Sequence, residues 1–147
     1  LKRCGIHFRF YLNIVLKKDG PAHSKSRTVA RNAMKIVSGI VIEGKKQGRV
    51  LGFPTANIIL QEPMEGGIYS GKTSINNKEY LGAIFVYPGT NLFEIYILDF
   101  TGELYGKALE VRVEDKIREF KKFESVEELK KQIIEDVKKV RQINLQS

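Results

Sequence analysis

The stretch GRVLGFPTANI, residues 48–58, holds the residues best suited to chemistry. Pro54 fixes its own φ and pushes Phe53 into an extended conformation. Thr55 and Asn57, two positions apart on an extended segment, project to the same side. A hydroxyl and an amide oxygen placed together are hard ligands of the kind Mg²⁺ takes when it shares its site with water and substrate phosphates. Upstream, Gly44, Gly48 and Gly52 leave backbone N–H groups room to approach phosphate oxygens, with Lys45, Lys46 and Arg49 beside them. The same residues also suit a polar turn in which Thr55 and Asn57 bond local backbone. Spacing alone favours that plainer reading, because the stretch is not G-x-x-x-x-G-K-[ST].

A second feature lies further along. LFEIYILDF, residues 92–100, is the most apolar strand-like run in the chain and carries Glu94 inside it. Strand alternation sets Phe93, Ile95 and Ile97 on one face and Glu94, Tyr96 and Leu98 on the other. An unpaired carboxylate in the core is costly, so Glu94's face either meets water or opens into a cleft. In a cleft it is a candidate general base for a hydroxyl. Arg118 and Phe123 flank a basic connection before the last element; spacing leaves Arg118 open between a solvated linker and a ligand contact, while Phe123 also fits an apolar staple at a helix start.

The bulk numbers limit what else the chain can use. With one cysteine, Cys4, there is no internal disulfide framework and no cysteine-rich zinc site. His7 and His23 both lie in the first 25 positions, so the main body cannot carry a histidine triad or a histidine metal site. The net charge of +8 suggests nucleic acid at first sight. Its distribution argues otherwise. Residues 1–33 carry eight Lys/Arg against one acid, +7, and residues 34–147 carry the remaining 17 against 16, +1. The arm 1–33 has the acid-poor, Arg- and Ser-containing bias of a targeting segment, but the remains of an upstream domain or an element packed on the body is the preferred reading. Met34 is a natural start for the domain 34–147.

The elements that must position these residues read as follows. KIVSGIVIE (35–43) is a β-branched strand with Gly39 marking a bulge or close approach. A short strand is expected after PTAN, then GIYSGKTSI and KEYLGAIFVY as partners across Asn76-Asn77, a two-residue hairpin turn. LFEIYILDF and KALEVRVED follow on either side of TGELYG. SVEELKKQIIEDVKKVRQI is a helix, with Ser125 and Glu128 as a capping box and Val126, Leu129, Ile133, Val137 and Val140 on one face. This pattern predicts a mostly β protein: a closed antiparallel barrel of about six strands with a C-terminal α-helix packed on it.

The ordered set G-x-x-x-G-R-x-L-G-F-P-T-A-N-I, G-I-Y-S-G, E-x-x-x-L-D-F-x-G-x-L-Y-G and I-R-x-F-x-K-F-x-S-x-E-E-L-x-x-Q-I-x-x-D resembles the riboflavin kinase (flavokinase) family. The resemblance runs from about Lys35 to Arg141. It implies a Greek-key barrel and transfer of the ATP γ-phosphoryl group to the ribityl 5′-hydroxyl of riboflavin, giving FMN. By position, Thr55 and Asn57 correspond to the Mg²⁺ and phosphate pair, with Zn²⁺ or Mn²⁺ as other candidate ions. Gly44, Gly48, Arg49, Gly52 and Pro54 correspond to the loop over the nucleotide phosphates. Glu94 corresponds to the base, Arg118 and Phe123 to the flavin flap, and Asp99, Phe100, Tyr105 and Gly106 to the nucleotide-side turn. The stretch AIFVYPGTNLF departs from the family pattern, with Phe85 at a usual Asn position and Tyr96 where a histidine is common. A flavin- or nucleotide-binding module without turnover is therefore the alternative. The expected partners are riboflavin or FMN and ATP or ADP, with no nucleic acid and no membrane, and the expected state is a monomer. A cytoplasmic location is expected, with organelle targeting by the arm as the other reading.

Overall fold

The computed structural model describes residues 34–44, 49 and 51–146. The arm 1–33 and the loop residues Lys45, Lys46 and Gly48 lie outside the described residues, so the expectations placed on them are not addressed by it. Six strands and one helix follow in order: β1 Lys35–Ile40, β2 Thr55–Ile59, β3 Gly67–Ile75, β4 Lys78–Val86, β5 Leu92–Ile97, β6 Ala108–Arg118 and α1 Val126–Leu145. All strand pairs are antiparallel, in the order β1-β6-β3-β4-β5-β2. The meander β3-β4-β5 is joined by β6 returning beside β3, which is the Greek-key arrangement.

The two edge strands approach each other to make a nearly closed barrel. Among the described residues their junction carries one isolated bridge, Ile42 to Asn57, with the Ile42 N–H donating to the Asn57 carbonyl at 2.9 Å. The close approach expected at Gly39 is at this junction, because a Cβ there would meet the Ile58 side chain. Asn76 and Asn77, at φ 51° and 63°, form the β3–β4 turn with both central residues left-handed.

Alternation along the strands divides the apolar residues into two layers. Val37, Ala56, Ile58, Ile84, Val86, Phe93, Ile95 and Val111 fill the barrel. Ile68, Phe85, Tyr87 and Leu98, on the opposite face, pack with Ile133 and Val140 of α1. The Ser125 hydroxyl accepts from the Glu128 N–H at 3.2 Å, as a helix cap should. The Glu128 carboxylate accepts from the Glu124 N–H at 3.3 Å, one residue before the cap, so the box is completed in a shifted form.

Three boundaries differ from the sequence reading. Thr55 opens β2, so PTAN enters the sheet instead of preceding a strand. The first strand ends at Ile40, with Ile42 continuing only as the isolated bridge. β6 runs on through Arg118, because the apolar alternation of Val111 and Val113 is carried forward by pairing with β3 as far as Ile68–Arg118. Arg118 therefore stands at a strand end, not in a polar connection.

Candidate active site

The strand registers assemble the site. Asn57 of β2 is opposite Glu94 of β5, Glu94 is opposite Phe85 of β4, Phe85 is opposite Ile68 of β3, and Ile68 is opposite Arg118 of β6. One row of side chains thus crosses five strands on the face that carries α1. Four strand spacings of about 4.8 Å make it roughly 19 Å long along the curved sheet. It is polar at both ends and apolar in the middle. Next to it, Thr55 is opposite Tyr96, whose ring meets Phe53 edge-on at 5.3 Å.

At the β2 end, three side chains converge. The Thr55 hydroxyl lies 3.4 Å from Glu94 Oε2, and the Tyr87 hydroxyl lies 3.4 Å from the same oxygen. Asn57 is buried, at 6% exposure, and its Nδ2 donates to the Thr55 carbonyl at 3.4 Å. Gly44 sits directly over this amide, and a Cβ at that position would collide with the Asn57 carboxamide. Gly44 is therefore laid against Asn57 by contact as well as by sequence. Gly52, at φ 87°, donates its N–H to the Arg49 carbonyl at 3.2 Å; Gly52, Pro54 and Arg49 are exposed.

The donor set at this end is a hydroxyl, a carboxamide and a carboxylate. All are hard oxygen donors, and they suit Mg²⁺ better than a metal that prefers nitrogen or sulfur. Among the described residues no group of three or more His, Cys, Asp or Glu gathers to hold a metal. An ion here would need phosphate and water oxygens to complete its shell, which is how Mg²⁺ is ordinarily held.

The β6 end is built differently. Arg118 grips Asp136 of α1 with two hydrogen bonds, Nε to Oδ1 at 2.8 Å and Nη2 to Oδ2 at 2.7 Å. Asp136 is fully buried and also accepts from Gln132 Nε2 at 3.1 Å. Arg118 Nη1 donates to the Glu119 carbonyl at 3.0 Å, and its guanidinium lies 5.9 Å from the Phe123 ring centre. Arg118, Phe123, Phe120, Tyr87, Phe85 and Ile68 line an open concavity between the two ends of the row.

The turn Asp99–Gly106 has its own partners. Asp99, at φ 60°, is held by Arg141 of α1 through two 2.8 Å hydrogen bonds, which draw its carboxyl below the usual range. Phe100 packs edge-on against Tyr80 at 5.4 Å. The Gly106 N–H donates to the Val41 carbonyl at 2.8 Å, so the end of the turn abuts the segment leading to Gly44, and Tyr105 is exposed beside it. The structure brings Gly44, Thr55, Asn57 and Glu94 together and sets Arg118 at the other end of the row, with Phe123 beside it. It gives Asp99 and Phe100 partners outside that row.

Sequence reasoning gave no role to Tyr87 or Asp136. Asp136 carried a usable signal, since it falls on the apolar face of α1 between Ile133 and Val140. Tyr87 had none, because its partner is set by the β4–β5 register.

The family model described as "Flavokinase: Riboflavin kinase" matches residues 32–144. The RNA-binding riboflavin kinase RibR of Bacillus subtilis is 40% identical over 112 residues, covering 71% of this chain and 49% of that protein. The chain thus spans about half the length of that relative. A crystal structure titled macrolide-efflux protein, from Streptococcus pneumoniae, superposes with a TM-score of 0.65 at 30% identity, covering 74% of this chain and 39% of that one. The crystal structure of riboflavin kinase from Trypanosoma brucei superposes with a TM-score of 0.56 at 26% identity, covering 74% of this chain and 78% of that one.

Proposed function

The chain belongs to the riboflavin kinase family, and on that premise we propose that it transfers the γ-phosphoryl group of ATP to the ribityl 5′-hydroxyl of riboflavin, yielding FMN and ADP. The observation that carries this reading is the Asn57–Glu94–Phe85–Ile68–Arg118 row. Its apolar middle and the shallow aromatic concavity beside it offer an isoalloxazine ring an open apolar face to lie on, and its β2 end gathers oxygen donors beside Gly44. A ring seated over Phe85 and Ile68 would point its ribityl chain along the row toward Glu94.

In this reading Glu94 accepts the proton of the 5′-hydroxyl as its oxygen attacks the γ-phosphorus. The bond from that phosphorus to the bridging oxygen breaks, and ADP leaves. Thr55 and Asn57 hold the cation and orient the phosphates, with Gly44, Gly52, Pro54 and Arg49 over them. Mg²⁺, when bound, neutralises charge on the β- and γ-phosphate oxygens. Arg118 and Phe123 close on the flavin. Tyr105 and Gly106 border the nucleotide side, with Asp99 and Phe100 shaping the turn behind them. Positioning and charge neutralisation account for most of the barrier lowering in such transfers, so the protein needs little covalent chemistry. The residues from Met34 to Ser147 form the kinase-like domain in this proposal; a chain begun at Met34 that fails to fold would refute the boundary.

The test is FMN formation from riboflavin, ATP and MgCl₂. Glu94→Gln is expected to lower kcat by about 10²- to 10⁴-fold while leaving riboflavin binding within about threefold. An active wild type with an equally active Glu94→Gln removes the base assignment. The second reading, a binding module without turnover, draws on Phe85 and Tyr96 standing beside Glu94. It is distinguished by tight riboflavin binding with no ADP released. RNA binding, named for the Bacillus subtilis relative, would have to use the basic arm, and the chain would then be retained on RNA in a salt-sensitive way.

A further inference from the structure

Tyr87 lies at the junction of the two halves of the site. It follows the last residue of β4 and shares the outward face with Phe85. Its ring is 4% exposed and packs against Phe120 at 5.6 Å between ring centres, within the aromatic concavity. Its hydroxyl points the other way along the row, to Glu94 Oε2 at 3.4 Å. No other described side chain has one end in the concavity and the other on the carboxylate among the contacts given above.

The backbone of Tyr87 is fixed as firmly as its ring. Tyr87-Pro88-Gly89-Thr90 is a tight turn with proline at the second position and Gly89 at φ 72° in the third, the pattern of a type II turn. The Thr90 N–H and the Thr90 hydroxyl both donate to the Tyr87 carbonyl, at 3.2 and 3.0 Å. The segment YPGT, which departs from the family pattern, therefore builds a rigid mount for one phenol.

We propose that Tyr87 is a positioning residue for the reaction: its hydroxyl orients the Glu94 carboxylate, and its ring makes that orientation depend on what fills the aromatic concavity. The proposal rests on the kinase reading of the site. At 3.4 Å the contact is longer than an ordinary O–H···O hydrogen bond. Thr55 stands at the same distance from the same oxygen on the other side. The carboxylate oxygen thus lies between two hydroxyl donors, each at a long hydrogen-bond distance, and an aromatic ligand pressing on Phe120 and Tyr87 shortens the Tyr87 contact to Glu94. Such tightening on ligand binding is usual for catalytic hydrogen bonds that are loose in the free protein.

Two substitutions separate the hydroxyl from the ring. Tyr87→Phe keeps the packing against Phe120 and removes only the donor. It is expected to lower kcat about five- to twentyfold with the KM for riboflavin and for ATP unchanged within about twofold. Tyr87→Leu removes the ring contact as well and is expected to raise the KM for riboflavin in addition. The decisive measurement is the double variant. On a Glu94→Gln background Tyr87→Phe should change residual turnover less than twofold, because the group it acts through is already gone. A purely structural Tyr87 would instead lower both backgrounds equally, and that equality would overturn the proposal. So would a Tyr87→Phe protein with wild-type kcat. Should wild type form no FMN at all, the kinase reading and this proposal fall together, whereas an active wild type with an equally active Tyr87→Phe removes this proposal alone.

Discussion

Gly44 shows how much one residue can decide. It covers the Asn57 carboxamide, which leaves no space for a side chain at that point. Gly44→Ala must displace either the backbone at residue 44 or the Asn57 carboxamide, and either shift disturbs the contact between Gly44 and the Thr55–Asn57 pair. The expected outcome is a rise of about tenfold in the KM for ATP, with the KM for riboflavin within about twofold of wild type. Steady-state kinetics with each substrate varied in turn measures the difference; equal rises in both would indicate that the loop has no particular relation to the phosphates. The sequence made the Thr55–Asn57 pair legible, because i and i+2 positions on an extended segment share a face whatever surrounds them. The site around it was not legible. Whether Glu94 faced water or other side chains depended on strand register, which sets Thr55 and Tyr87 beside it, and register is not within reach of a local pattern.

At the scale of elements, α1 is tied to the barrel by two arginine–aspartate pairs of different character. The Arg118–Asp136 pair is inside: Asp136 is fully buried, and Arg118 and Gln132 satisfy it. Asp136→Ala leaves a guanidinium in a place where little water reaches it, and removing one partner of a buried pair costs about 3–5 kcal/mol. A fall of roughly 10 °C or more in thermal midpoint is expected, and Arg118→Met added to Asp136→Leu should recover part of it. Differential scanning calorimetry of the single and double variants provides the check. The Arg141–Asp99 pair is outside and exposed. Arg141's hydrogen bonds hold the Asp99 carboxyl below its ordinary value of 3.8, so the pair's contribution is present above that value. It is lost as the pH falls below 3.8 through the lowered folded value. Asp99→Asn should therefore lower the midpoint slightly at about pH 6, and the difference should vanish at about pH 2 and in high salt. The helix itself was plain in the sequence, from Ser125 through its apolar face. Its two tethers were not, because an acid on an apolar face signals a buried partner without saying which strand end supplies it.

For the whole molecule, the β-strands and the hairpin at Asn76-Asn77 were readable from alternation and turn chemistry, and the barrel followed from their number and spacing. The registers were not readable, and registers are what bring PTAN, Glu94 and Arg118 into one row. Residues 57, 68, 85, 94 and 118 carry no common local pattern; they meet only after five strands have paired. The closure of the sheet has a consequence of its own. Among the described residues one isolated bridge, Ile42–Asn57, joins the β1 and β2 sides of the sheet, and Asn57 is also a proposed site residue. The cylinder is fastened by a clasp set inside the proposed binding surface, so on that proposal filling the site and shutting the barrel become one event. The Ile42 amide, donating to the Asn57 carbonyl, is a built-in reporter of it. Its hydrogen exchange should slow by about tenfold or more when ATP and Mg²⁺ bind, while amides in the β3–β4 hairpin keep their rates. A protein that holds its ligands without quieting that amide would be fastened somewhere else.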